Sequence, residues 1–196
     1  MGLSRRLFIG ASLSAATASV MAGANVAEAS ATKPQKWDKT VNVVIIGSGG
    51  AGLATAVSAA ENGVKDILVL EKLAFLGGNT AIATGAFNTA DPKQKEQGIE
   101  DSPELHAQQT LKGGDFRANP ELVNELTHNS YDTLTWLESK GVKFQPKILQ
   151  VYGALWPRSH ATAASKGSDY IRVLSEEAKK LGVTTVSYTH LTLPTT

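Results

Sequence analysis

The segment that most constrains this chain is VNVVIIGSGGAGLATAVSAAENG, residues 41–63. Val41 to Ile46 is a near-continuous apolar run, as expected of a strand buried on both faces of a parallel sheet. Four glycines, Gly47, Gly49, Gly50 and Gly52, then fall within six residues. Leu53, Ala56, Val57 and Ala60 share one face at helical spacing, and Gly63 stands where a helix C-terminal cap belongs. A second apolar run, DILVL, spans Asp66 to Leu70. Strand, glycine turn, helix and strand in about thirty residues make a βαβ unit.

The glycines of that turn read G-x-G-x-x-G. Gly47 permits a tight turn, Gly49 admits a pyrophosphate where a Cβ would intrude, and Gly52 lets the helix lie close to the strand. The first N–H groups of the helix and the positive end of its dipole then face the phosphates. Glu71 closes the second strand, 24 residues after Gly47. Its carboxylate is placed to accept hydrogen bonds from both ribose hydroxyls of an adenosine, and its charge disfavours a 2′-phosphate. The six-residue motif alone is weak, and glycines that merely make a turn are the bland alternative. The flanking strand and helix and the spacing to Glu71 make the dinucleotide reading strong.

Further along, FLGGNTAIATGAFNTAD over 75–91 has small side chains and few charges, so its backbone presses against something rather than lying in solvent. Ser102-Pro103 opens a short helix that ends near Gly113-Gly114. Asn119-Pro120 opens another, with Leu122, Val123, Leu126, Leu134 and Leu137 apolar and Gly141 closing it. Residues 142–166 read as irregular. Ser168 caps a last helix whose apolar face carries Ile171, Leu174, Ala178 and Leu181. His106 and His128 read as solvated helix-surface residues, and Trp136 and Trp156 as packing residues.

The formal charge of +1 gives no argument for nucleic acid as a partner. With no cysteine, the chain makes no disulfide, thiolate metal site or covalent haem attachment, and no two of its four histidines have the i, i+4 spacing of a helical zinc site. Metal ligation is therefore not expected.

Both ends differ from the middle. Ser4-Arg5-Arg6-Leu7-Phe8 sets paired arginines before a mildly apolar run, Leu7 to Ala24, with small-residue exits at Ala27-Glu28-Ala29 or Ala22-Gly23-Ala24. This describes a twin-arginine export signal over 1–31, the twin-arginine translocase as partner and a periplasmic home. A membrane anchor is the alternative, but the run is short and weakly apolar. A polar linker over 32–40 follows, then the domain over 41–185. The tail VSYTHLTLPT back-translates without mismatch as GTC TCT TAT ACA CAT CTG ACG CTG CCG ACG, which resembles a transposon adapter used in sequencing libraries. Residues 186–196 are therefore expected not to be encoded by the organism, and His190 receives no role.

Beyond Glu71, the run EKLAFLGGNTAIATGAFN resembles the FAD-binding stretch of the fumarate reductase and succinate dehydrogenase flavoprotein family. The likeness to its periplasmic branch, the flavocytochrome c type fumarate reductases with their urocanate and methacrylate relatives, continues through Asp101–Asp115, Leu134–Phe144 and Gly153–Ile171. It implies an α/β Rossmann-like FAD-binding domain of the glutathione reductase type with a parallel sheet, truncated before its C-terminal half. It also implies that Gly47, Gly49, Gly50, Ala51 and Gly52 hold the pyrophosphate. Glu71, with Lys72 beside it, holds the ribose. Gly78, Asn79 and Thr80 meet the flavin-side phosphate or ring, and Gly85 and Ala86 pass beside the isoalloxazine, where a side chain would collide with it. Where the family has Gly-Gly-Met-Asn this chain has Gly85-Ala86-Phe87-Asn88, which puts the match of the substrate pocket in doubt.

In the resembled reductases c-type haems deliver electrons to FAD, a hydride passes to an activated double bond, and an arginine protonates the neighbouring carbon. The implied partners are an unsaturated carboxylate and a c-type cytochrome. Arg158 and His160 form either a cationic corner for the substrate or a structural pair pinning an irregular segment. The second is preferred, because the family's catalytic arginine and histidines come later in the chain. The alternatives to a reductase are a dehydrogenase or oxidase of the same family, or an inactive FAD-binding fragment whose unpaired sheet edge favours aggregation. Resequencing the locus from genomic DNA is expected to show a different reading frame content after Thr185; an uninterrupted gene ending at Thr196 overturns the adapter reading.

Overall fold

The computed structural model describes residues 37–188. The expected export signal, all of the linker before Trp37 and the tail beyond Tyr188 lie outside the described residues. The chain divides at Thr40/Val41, and the unit beginning at Val41 carries every described helix and strand.

Strand β1, Val43–Ile46, leads through the glycine turn into helix α1, Gly50–Glu61, and strand β2, Ile67–Leu70, follows. β1 and β2 pair in parallel, Val43 opposite Ile67 and Ile46 opposite Leu70. A short helix α2, Gly78–Ile82, and strand β3, Ala86–Asn88, come next. A 3-10 turn at Pro92–Gln97 precedes helices α3, Pro103–Gly113, and α4, Pro120–Lys140. Strand β4, Ser159–Ala161, helix α5, Ser168–Lys180, and strand β5, Thr184–Val186, complete the order. The main sheet runs β1-β2-β5, all parallel, and β3 and β4 form a separate antiparallel pair. This is the parallel α/β architecture that the βαβ pattern implied. No helix among the described residues is long and apolar enough to cross a membrane.

Local chemistry fixes the helix ends. Ser102 Oγ accepts from Leu105 N at 3.1 Å, and Asn119 Oδ1 accepts from Glu121 N at 2.8 Å, each with proline at the first helical position. Gly141 ends α4 at φ +104°, a left-handed conformation that costs glycine nothing. Gly167, one residue before the expected Ser168, occupies the cap position of α5.

Two apolar clusters hold the unit together. Ile45, Ala56, Ile67 and Val69 seat α1 on the sheet. Leu53 and Val57 of α1 meet Leu137, Val142 and the α5 residues Tyr170, Ile171, Val173, Leu174 and Ala178. A fully buried side chain such as Leu53 contributes about 1.5–3 kcal/mol by leaving water.

Three expectations need correction. β1 is covered on one face only: Val44 and Ile46 point away from α1 and are 51% and 70% exposed. On α4 the buried positions are Val123, Thr127, Ser130, Leu134 and Leu137, whereas Leu122 and Leu126 face outward. Hydrophobicity alone picked the wrong side, because two small hydroxyl residues allow the close contact with the chain beneath. Residues 142–166 are not wholly irregular, since they include β4. A strand forms over Thr184–Val186, and Val186 O accepts from Glu71 N at 2.8 Å. Val186 is the first residue of the adapter-like stretch.

The inverted face of α4 is open to measurement. Leu134→Ala should cost about 2–5 kcal/mol in denaturant unfolding, and Leu122→Ala no more than about 0.5 kcal/mol.

Candidate functional site

The glycine turn is built as its spacing requires. Gly47 sits at φ +94° and its N–H donates to Leu70 O at 2.8 Å, which ties the turn to the end of β2. A Cβ on Gly52 would lie 2.0 Å from Gly47 O, so α1 can leave the turn this closely only with glycine there. Gly49 is different. It is the N-cap of α1 at φ −64°, and a Cβ on it would meet nothing of the chain closer than 3.8 Å. A Cβ there would make only ordinary contacts with Gly77 O and Thr80 Oγ1, so the protein's own packing does not demand glycine at 49. No side chain at the N-cap satisfies the first turn of α1. Its initial N–H groups lack intrahelical partners, and Thr80 Oγ1 takes one of them, Gly50 N, at 3.0 Å.

Glu71 is buried at the C-terminal end of β2, 7% exposed. Its Oε2 accepts from both the N–H (2.9 Å) and the hydroxyl of Ser48, and its Oε1 accepts from Leu73 N at 2.8 Å. The Leu73 bond foremost, then the Ser48 donors, hold its carboxyl below the usual glutamate range. Two of these bonds fall on Oε2 and one on Oε1, which leaves Oε1 the less occupied oxygen. Ser48 Oγ also accepts from Gly77 N at 3.1 Å. Hydrogen bonds thus gather the Gly47–Gly52 turn, the end of β2 and the Gly77–Thr80 segment into one cradle.

The other sequence candidates divide into rim and interior. Ala51, Lys72, Asn79 and Ala86 are exposed, and Gly78 is half-buried. Gly85 is buried at φ +76°, and a Cβ there would collide with Thr162 Oγ1 and the Lys166 backbone, both at 2.7 Å. Its own chain already excludes a side chain at that position. Gly85 O accepts from Thr162 N at 3.1 Å and from the Tyr170 hydroxyl at 2.9 Å. Burial pushes that hydroxyl's pKa well up, so it stays a donor. The backbone of 75–91 does press against something: Gly77 lies under Ile171, and a Cβ on Gly167 would reach 1.9 Å from Thr80 O.

Arg158 and His160 do not face an open pocket as a cationic pair. Arg158 makes a two-pronged bond to Asp101, Nε to Oδ2 at 2.9 Å and Nη2 to Oδ1 at 2.8 Å, with both side chains buried. His160 Nδ1 donates to Arg158 O at 3.1 Å, and its Nε2 lies 3.2 Å from Asp91 Oδ2. Gln94, 1% exposed, joins the two stations: its Oε1 accepts from Asp91 N at 2.6 Å and its Nε2 donates to Asp101 Oδ2 at 3.0 Å. Asp91 and Gln94 went unnoticed in the sequence, although the Asp-Pro-x-Gln capping pattern at 91–94 signals them, and nothing local marks Asp101 as the partner of Arg158. His106, read as solvated, is only 6% exposed, and burial with the Arg158 charge holds its imidazole below its ordinary range. His128 is the solvated one, beside Glu104 at 3.3 Å. Trp136 packs beside the core and donates to Glu61 Oε2 at 2.9 Å; Trp156 donates to Glu100 O at 2.9 Å. Among the described residues no cluster of metal-ligating side chains occurs.

A family model described as an FAD binding domain matches residues 42–191. The chain belongs to that family. Its cofactor is FAD, and the first turn of α1, which no N-cap side chain satisfies, fits a diphosphate laid against the main chain. This FAD-binding domain is similar to the acrylate reductase flavoprotein subunit of Shewanella woodyi, at 36% identity over 93% of this chain and 36% of that protein. It is also similar to the fumarate reductase (cytochrome) of Shewanella frigidimarina, at 38% identity over 74% of this chain and 25% of that one. Among solved structures it superposes on the open conformation of a flavocytochrome c3 fumarate reductase with TM-score 0.72 and 30% identity, covering 77% of this chain and 27% of that chain. The chain spans about a third or less of the length of these relatives.

The two kinds of glycine separate in thermal unfolding. Gly52→Ala should destabilise the FAD-binding domain by at least about 3 kcal/mol through overlap with Gly47 O. Gly49→Ala should change stability by no more than about 1 kcal/mol.

Proposed function

We propose that this chain is the cofactor-holding portion of an exported, FAD-dependent reductase that saturates the double bond of an unsaturated carboxylate, with electrons drawn from a c-type cytochrome. The observation that carries this reading is the likeness, along nearly the whole chain, to a flavoprotein subunit that reduces acrylate. The fumarate reductase relatives point to the same class of substrate, and their being a fumarate reductase (cytochrome) and a flavocytochrome c3 supports the donor.

In this reading Gly47, Gly49, Gly50, Ala51 and Gly52 hold the diphosphate, the less occupied Oε1 of Glu71 takes a ribose hydroxyl, and Lys72 flanks the sugar at the rim. Gly78, Asn79 and Thr80 meet the flavin-side phosphate or ring, with the Thr80 hydroxyl proton still available to donate. Ala86 lies at the exposed edge of β3, and Gly85 is held in place by Tyr170 and Thr162. FAD supplies hydride to the electron-poor carbon of the substrate. Arg158 and His160 brace β3 and β4 through Asp101 and Asp91 rather than touch substrate. Removing Arg158 would strand a buried carboxylate, a structural cost rather than a catalytic one.

We assign 1–31 to a twin-arginine signal, 32–40 to a linker, 41–185 to the FAD-binding domain and 186–196 to adapter-derived sequence, and we place the protein in the periplasm. The paired arginines and the small-residue exits support the export assignment.

The full-length protein, reconstituted with FAD, should reoxidise reduced methyl viologen anaerobically when given acrylate, fumarate, methacrylate or urocanate, and one of the four should dominate. Stoichiometric FAD with no turnover of any enoate overturns the proposal.

A further inference from the structure

Ser48 is the interior point on which the cradle closes. It is 0% exposed, so a cofactor resting in the cradle as it stands does not touch its side chain. Its N–H and hydroxyl supply two of the three donors on Glu71, and the same oxygen accepts from Gly77 N. These partners lie 23 and 29 positions away in the sequence. A single hydroxyl thus connects the phosphate turn, the ribose-binding carboxylate and the segment leading to α2.

We propose that Ser48 is a positioning residue for FAD: it fixes the Glu71 carboxylate so that one Oε1 lone pair faces the sugar, and it fastens Gly77–Thr80 to that carboxylate, so that the adenosine and flavin ends of the cofactor are held by one rigid unit. This rests on the cofactor-holding role proposed above.

The surroundings show why a hydroxyl is required. The turn over 47–52, helix α2 and strand β5 bring no charged side chain to Glu71, and Lys72 beside it is exposed. Neutral donors alone stabilise the buried anion. Replacing Ser48 by alanine keeps its N–H on Oε2. It leaves one Oε2 lone pair and Gly77 N without a partner in a site with no exposed surface at residue 48, an arrangement that costs more than the bond itself returns. The sign of the pH effect follows. The donors lower the Glu71 carboxyl, so its bonded state is present above the ordinary glutamate range and is lost as pH falls through the lowered value. Losing a donor raises that value, and the loss begins at higher pH.

The test uses the full-length protein stripped of cofactor and titrated with FAD by quenching of flavin fluorescence from neutral to acid pH. Ser48→Ala should weaken FAD binding about tenfold at pH 7 and shift the acid limb of the affinity profile to higher pH than in the wild type. Ser48→Thr, which keeps the hydroxyl, should hold the limb where the wild type has it. Glu71→Gln should bind weakly with no such limb. Wild-type affinity and an unshifted limb in Ser48→Ala overturn the proposal, as does weak binding with an unshifted limb, which marks a merely structural residue. Should Ser48→Ala fail to fold by circular dichroism, Ser48→Thr decides: the wild-type limb sustains the proposal and a shifted limb overturns it. Failure of the wild type to take up FAD would instead overturn the cofactor-holding role itself.

Discussion

A carboxylate cannot sit in a nearly closed pocket unless donors surround it, and Glu71 meets that condition without any cation. Two main-chain N–H groups and one hydroxyl satisfy it, and each comes from a segment whose position matters for a dinucleotide. The end of β2 and the turn after β1 are therefore held by one acid, and the approach to α2 is tied to it through Ser48 Oγ. A residue that would be costly as an isolated buried charge becomes the fastening of the cradle.

The remaining architecture serves to keep that cradle in register. Parallel pairing of β1 with β2 sets Gly47 beside Leu70, and Gly52 lets α1 start within contact distance of the turn. α5 then closes from behind, with Ile171 over Gly77 and Gly167 against Thr80. Side-chain volume is removed at each of these contacts, so backbones meet directly and little is left to rotate. The second polar centre, Arg158–Asp101 with His160–Asp91 and Gln94 between them, does the same for β3 and β4. Its guanidinium, imidazole and carboxylates are buried and paired with one another, which suits bracing.

Much of this was legible in the sequence where a short stretch carries its own reason. The βαβ unit, the roles of Gly47 and Gly52, the proline-led starts of α3 and α4 and the glycine end of α4 all depend on neighbours within a few residues. The errors fall where the partner is remote. Leu122 and Leu126 looked like core because they are leucines, yet Thr127 and Ser130 face inward, with Ser130 Oγ bonded to Thr89 Oγ1 at 2.8 Å across 41 positions. His106 looked solvated because its helix is short and polar, but it lies beside Arg158, itself paired with Asp101 across 57 positions. At Gly85 the local motif gave no sign that Thr162 and Lys166 crowd the position.

The sequence by itself determined that this chain turns tightly after a buried strand, opens a helix N-terminus to phosphate and sets an acid at the end of the next strand. Those properties are local, since they follow from φ, from missing side chains and from counted spacing. Only the tertiary structure decided how the acid is used. It showed that Ser48 and Leu73 already occupy most of Glu71, which glycines face outward and which face the protein, and that the arginine and histidine of 158–160 are engaged by carboxylates inside the fold. Each of these depends on atoms brought together from distant parts of the chain, and no spacing rule records which donor reaches an acceptor first.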